Sequence, residues 1–279
     1  MALIIPSVFA DAINAKLDTT LRIGRVAFDA TSVIPEIRQA GDTIHFPTIN
    51  RVATAGTVTK GTALTPAVID MTDSSATIQW VGSSMRVYDS EKAQIKGRVM
   101  DNVVEQVATA MAKKIDNDLT VAMDTDAVFK QATTAATTIT VSEIYQALAN
   151  FGDDIDTDTF AGIIINSRLL KNFLAMDEFV SANKTYQTNG NGIVNDGVAG
   201  YFIGIPVIIC NNGTYDTAKA ECKTYIVKKN ALGYVFQKEI SIEEEREAKL
   251  LATDIVASSL YACKLLDLKG VVIVRKTIA

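Results

Sequence analysis

Residues 90–123 read SEKAQIKGRVMDNVVEQVATAMAKKIDNDLTVAM, and their periodicity decides the fold. Ile95, Val99, Val103, Val107, Met111, Ile115 and Leu119 recur every four positions, with Met100, Val104 and Ala108 alongside. One face of a helix is therefore apolar along its whole length. Ser90 followed by Glu91 suits its start, because a hydroxyl can cap the first turn and an acid is favoured at the positive end of the helix dipole. The spacing predicts one helix running to about Met123. At 1.5 Å rise per residue it would be about 50 Å long, whereas a compact chain of this size has a radius of gyration of about 19 Å. Such a helix is the spine of a flat plate. Gly97 sits in its first third, where glycine costs about 1 kcal/mol relative to alanine; it reads as a close approach to a neighbour or as a bending point.

Upstream, Phe9, Ile13, Leu17 and Leu21 form a short amphipathic helix that is marginal alone and needs a partner surface, in its own subunit or in another. From Gly41 the pattern changes to period two. Ile44, Phe46 and Ile49 alternate with Thr43, His45 and Thr48, a strand with one buried face. Small residues fill 53–65, with Lys60 near the middle, and a second strand-like run covers Ala76 to Val87. The expectation is a long two-stranded excursion over 41–87, and because a lone hairpin is barely stable, it should lie across another subunit.

Downstream, Thr125 to Thr140 reads as a connector. Thr140-Val141-Ser142-Glu143 fits a capping box for a helix with Ile144, Leu148 and Phe151 on its apolar face, stopped by Gly152. Asp153, Asp154, Asp156 and Asp158 lack the spaced ligands and closing glutamate of a calcium loop and read as a solvated turn. Phe160 to Ile165 is a buried strand, and Asn166 or Ser167 caps a helix containing Leu169, Leu170, Phe173 and Leu174. Residues Ser181 to Gly197 have little to bury and are expected to form a mobile loop. Tyr201-Phe202-Ile203 and Val207-Ile208-Ile209 read as strands about a turn at Gly204-Ile205-Pro206. Tyr225-Ile226-Val227, Tyr234-Val235-Phe236, Ile240-Ser241-Ile242 and Val271 to Val274 are further strands, while Leu250 to Leu266 fits helix or strand. Glu243-Glu244-Glu245 suits an exposed edge, where charge discourages wrong pairing.

Composition narrows the function. With 48% hydrophobic residues in 279, the chain can bury a large core. No apolar run reaches the ~18 residues of a membrane span, and the first residues do not read as a secretory signal. A formal charge of −5, with the basic pairs Lys113-Lys114, Lys228-Lys229 and Arg275-Lys276 scattered and read as solvated, offers no footprint for tight nucleic-acid binding. Cys210, Cys222 and Cys263 are odd in number and lack zinc spacing, so they are expected to be buried free thiols. His45 is the single histidine, on the polar side of a strand and far from every cysteine. The usual general base for a serine or cysteine nucleophile is thus missing. No catalytic, cofactor-binding or metal site is expected, although paired carboxylates need no local motif.

The order of these elements resembles the tailed-bacteriophage major capsid family, the Hong Kong ninety-seven fold, over nearly the whole chain. The string Gly200-Tyr201-Phe202-Ile203-Gly204-Ile205-Pro206-Val207 is similar to a segment late in the axial domain of those proteins. The resemblance implies an α+β fold with an N-terminal arm (1–40), an extended hairpin or E-loop (41–88), the spine helix and a connector (89–137), an axial domain (138–222) and a return to a peripheral β-sheet (223–279). It implies a structural protein that self-assembles into the pentamers and hexamers of an icosahedral shell in a virion, enclosing double-stranded DNA without sequence-specific contacts. Because the arm begins almost at Met1, a separate scaffolding protein is expected, besides a portal. Some relatives form Lys–Asn isopeptide links, and Lys60 stands where such a link, or merely a solvated contact, would fall. Gly97 would be a flexure during shell expansion. An encapsulin-like nanocompartment shell on the same fold and a soluble enzyme are the alternative readings.

Overall fold

The computed structural model describes residues 13–14, 16–17, 20–31, 43–49, 57, 61, 71–90, 99–153, 155, 157–181 and 198–278. Along the chain lie β1 (Phe28–Asp29), β2 (Thr43–Ile49), β3 (Met71–Thr77), β4 (Gln79–Tyr88), the spine helix (Val99–Asp126), β5 (Phe129–Ala132), a helix Val141–Ala149, β6 (Phe160–Ile165) and a short helix Leu170–Leu174. There follow β7 (Phe179–Ser181), β8 (Val198–Phe202), β9 (Ile205–Ile209), β10 (Tyr215–Asp216), β11 (Glu221–Cys222), β12 (Thr224–Lys228), β13 (Leu232–Glu247), β14 (Ala252–Leu265) and β15 (Val271–Arg275). The fold is α+β.

A seven-stranded mixed sheet, ordered β5-β15-β12-β6-β9-β8-β7, has both faces buried. Period-two alternation sends Ile164, Ile208, Tyr225, Val227 and Ile273 to one face, where they join the spine-helix residues Met111, Ile115, Leu119 and Met123. Ile163, Ile165, Val207, Ile226, Val272 and Val274 face the other way and pack with Ile144, Leu148 and Phe173 of the two shorter helices. That is why Phe160 to Ile165 reads as a continuous apolar run. Each fully buried aliphatic chain contributes about 1.5–3 kcal/mol, so this double-sided layer carries much of the stability.

A second sheet, β1-β13-β14-β4, lays Val87, Ile242, Ile255, Ala257 and Tyr261 into the same core as the spine helix. On its other face Val235 and Ala262 pack with Ala30, Ile44, Phe46 and Ala76. The root of the β2–β3 hairpin is thus seated on its own subunit. The arm helix also finds its partner at home: Ile13, Leu17 and Leu21 are buried in the spine-helix core, and Lys16 pairs with Glu105 at 3.0 Å.

Several expectations are corrected. The run Ala76 to Val87 is two strands. Residues up to Thr77 pair with β2, in register Ile44↔Ala76, whereas Gln79 to Tyr88 pair with β14. The excursion is therefore shorter than 41–87, because the core requires Val87 inside the sheet. The connector 125–140 hides β5, parallel to β15, and the spine helix runs on to Asp126. The boundary at 222/223 does not divide the sheets, since β12 and β15 pair within the seven-stranded sheet and only β13 and β14 enter the smaller one. Tyr234 to Phe236 and Ile240 to Ile242 are one strand, and Leu250 to Leu266 is resolved as the strand β14. The turn after β8 falls at Ile203-Gly204, both at positive φ (49° and 79°), as a two-residue hairpin loop requires.

The helix at Val141 starts as expected at Thr140, whose amide donates to Glu143 at 2.8 Å, and Asn166 caps the turn of residues 167–169 by accepting from the Arg168 amide at 3.1 Å. Ile95, Gly97, Lys60, Asp154, Asp156 and the expected mobile loop at 182–197 lie outside the described residues.

Candidate assembly interface

The side chains that bind the layers together are acids on the spine helix. Asp116, fully buried, accepts from three successive backbone amides of the segment after the arm: Arg22 at 3.3 Å, Ile23 at 3.0 Å and Gly24 at 3.2 Å. Burial pushes its carboxyl above the usual range despite those bonds. Arg22 also donates to the Ile209 carbonyl at 2.7 Å, at the end of β9. One turn on, the Thr120 hydroxyl donates to the Asp116 carbonyl and lies against Gly213, where any Cβ would stand 2.8 Å from Thr120 Cβ.

Asp118 accepts from Tyr261 of β14 at 2.8 Å and pairs with Lys114 at 2.6 Å. Asp124 accepts from Lys223 and from the Tyr225 hydroxyl, and Asp126 pairs with Lys264 at 2.9 Å. Burial, with the adjacent carboxylates, raises the phenols of Tyr225 and Tyr261 well above their ordinary value. Arg275 joins Glu221 and Asp216 in a further network that also ties the Thr277 amide to Glu221 at 2.8 Å. Burial opposes ionisation of Glu221, but the Thr277 and Arg275 bonds prevail and hold its carboxyl low. The spine helix thus clamps the arm, both sheets and the β9–β10 turn.

His45 lies on the exposed side of β2, opposite Ser75. Cys210 and Cys222 are buried and Cys263 is half-buried; all three are free. Burial lifts the Cys210 thiol to about 11 and the Cys263 thiol further, so neither supplies thiolate near neutral pH. Among the described residues no His, Cys, Asp and Glu group could hold a metal ion, and no helix is long and apolar enough to cross a membrane. Open clefts of about 460 Å³ at Thr138–Val141 and Asn172–Glu178, and of about 310 Å³ between the spine helix, β3 and β14, contain no histidine.

Of the basic pairs expected to be solvated, Arg275 is instead largely covered by its acid partners, and Lys228 lies over the Phe151 ring at 4.7 Å. Glu243, Glu244 and Glu245 are exposed along β13, as an edge requires. Sequence reading missed Asp116. Its signal was the row Ala108, Ala112, Asp116 and Thr120 at spacing four beside the apolar stripe, two small residues followed by two able to hydrogen-bond.

Among their exposed side chains, the described residues include large apolar ones. Trp80 is 80% exposed, Leu251 at the β13–β14 tip 64%, and Val128, beside Leu268, 56%; Tyr145, Tyr201 and Ile203 are exposed as well. Exposed apolar side chains on several elements suit contacts with neighbours.

Comparison with known proteins agrees with this geometry. A chain of Mycobacterium phage Che8 superposes with a TM-score of 0.65 at 17% identity, covering 92% of this chain and 91% of its own. One from the capsid of the cyanophage P-SCSP1u gives 0.62 at 15%, covering 92% and 88%. One from the capsid of an empty GTA particle gives 0.66 at 9%, covering 93% and 90%. A search of curated protein sequences returned no match. The model of the phage capsid protein family matches residues 72–274, well over half of the chain. The chain belongs to that family and is a structural capsid protein, a component of the virion.

Proposed function

We propose that the chain is the major head subunit of a tailed phage, assembling through head-to-tail contacts into the pentamers and hexamers of an icosahedral shell around double-stranded DNA. In this reading 1–40 are the arm, 41–77 the intersubunit hairpin, with β4 returning to the subunit's own sheet, 89–137 the spine and connector, 138–222 the axial domain and 223–279 the return, with β12 and β15 completing the axial sheet. The observation that carries it is a shared fold with phage head subunits over about nine-tenths of the chain. The net charge of −5 supports a wall that confines DNA without gripping phosphates. A portal is a separate protein, and assembly takes place in the host cytoplasm.

Negative-stain microscopy of the purified chain, alone and co-expressed with neighbouring gene products, tests this. Closed shells or five- and six-fold rings are expected. A strict monomer under every condition would overturn it.

A further inference from the structure

β4 closes one side of the smaller sheet, and among the described residues its ladder is with β14 alone. Ten residues long, it has no proline, and Gly82-Ser83-Ser84 at its centre let another backbone approach. Natural edge strands are normally blunted by lysine, proline or a bulge. Here the one charged residue is Arg86, whose guanidinium is already bound edge-on by Asp254 at 2.7 and 2.6 Å and by Glu247 at 2.9 Å.

Val81, Met85 and Val87 turn toward the spine-helix core. Alternation therefore places Trp80, Gly82, Ser84 and Arg86 on the opposite face. There Trp80, opposite Leu260 of β14, is left 80% exposed, an unusual position for the chain's single tryptophan.

We propose that the outer edge of β4 pairs antiparallel with β4 of a second copy about a two-fold axis at Ser83. The strand is complementary to itself in that register. Gly82 falls opposite Ser84, small against small, and each Trp80 falls opposite the partner's Arg86. Held in its plane by carboxylates, that guanidinium presents a flat face on which an indole stacks. One strand supplies both halves, as an isologous contact demands. The contact rests on the reading of the chain as a shell subunit, and it joins subunits by a two-fold rather than by the head-to-tail contacts of a ring.

The test uses the full chain as free subunit and as assembled shell. Trp80 fluorescence is read without any substitution, by its emission maximum and by iodide quenching. A blue shift on assembly and a severalfold fall in quenching are expected. In a Ser83→Cys variant, mild oxidation of shells should give a disulfide-linked dimer on non-reducing electrophoresis that the unsubstituted chain, with its three native cysteines, does not give. Shells in which Trp80 stays as accessible as in the free subunit overturn the inference and leave the assembly reading intact. Shielding of Trp80 without a cross-linked dimer of the Ser83→Cys variant also overturns it, because another segment then occupies the edge. Absence of any shell or ring under every condition defeats both.

Discussion

Asp116 Oδ1 accepts the Ile23 amide at 3.0 Å, joining residues 93 positions apart at a fully buried point of the spine helix. The same oxygen takes the Gly24 amide, and Oδ2 takes the longer bond from Arg22. Asp116→Ala would strand buried donors and should lower subunit stability by about 3 kcal/mol. Asp116→Asn keeps the Oδ1 acceptor and should cost about 1 kcal/mol. Urea midpoints with unchanged m-values would check this; equal losses for the two variants would contradict it.

Asp116 and Glu221 should act in opposite directions with pH. The carboxyl of Asp116 is raised above its ordinary 3.8, so its contribution is greatest below that value and falls as pH rises through the folded pKa. The carboxyl of Glu221 is lowered from 4.5, so its contribution is complete above 4.5 and is lost as pH falls through the folded pKa. Glu221→Gln should therefore flatten the acid limb of stability, while Asp116→Asn should gain on the unsubstituted chain as pH rises. Urea titrations between about pH 3 and pH 8 would show the two slopes.

Gly213 has φ +70°, and a Cβ there would meet Thr120 Cβ and Cγ2 at 2.8 Å. Gly213→Ala should cost about 2 kcal/mol from overpacking and left-handed strain together. Thr120→Ser on that background removes Cγ2 and should recover part of the loss but not the backbone share. A double-mutant cycle on thermal stability with no coupling would refute the contact.

Leu251 holds φ 50° at the β13–β14 tip, although it is largely exposed. Leu251→Gly gives up little burial and relieves left-handed strain, so the free subunit should become more stable by about 0.5–1 kcal/mol. A fall in melting temperature would show that the leucine is held by packing instead.

The spine stripe from Val103 to Leu119, the continuous run Phe160 to Ile165 and the cap at Thr140 were legible because each is a local periodicity or a contact within four residues. Asp116 was not. Its meaning depends on amides from a segment that no local pattern brings near. Nor did alternation reveal where Ala76 to Val87 divides, since both halves are half-buried strands and differ only in partner. That His45 is the single histidine was read from composition, whereas the clamping acids of the spine helix became visible only once β14, Lys223 and Lys264 were placed beside them.

By itself, the sequence determined most of the element types, the long amphipathic helix and the order of parts that marks a capsid subunit, because side-chain periodicity reports which face of each segment leaves water. Tertiary structure alone decided the partners: β5 beside β15, β12 and β15 within the larger sheet, the hairpin root on Val235 and Ala262, and three amides on one aspartate. Pairing between distant segments is settled by which surfaces complete a common core, and that energy is not written in any single stretch of chain.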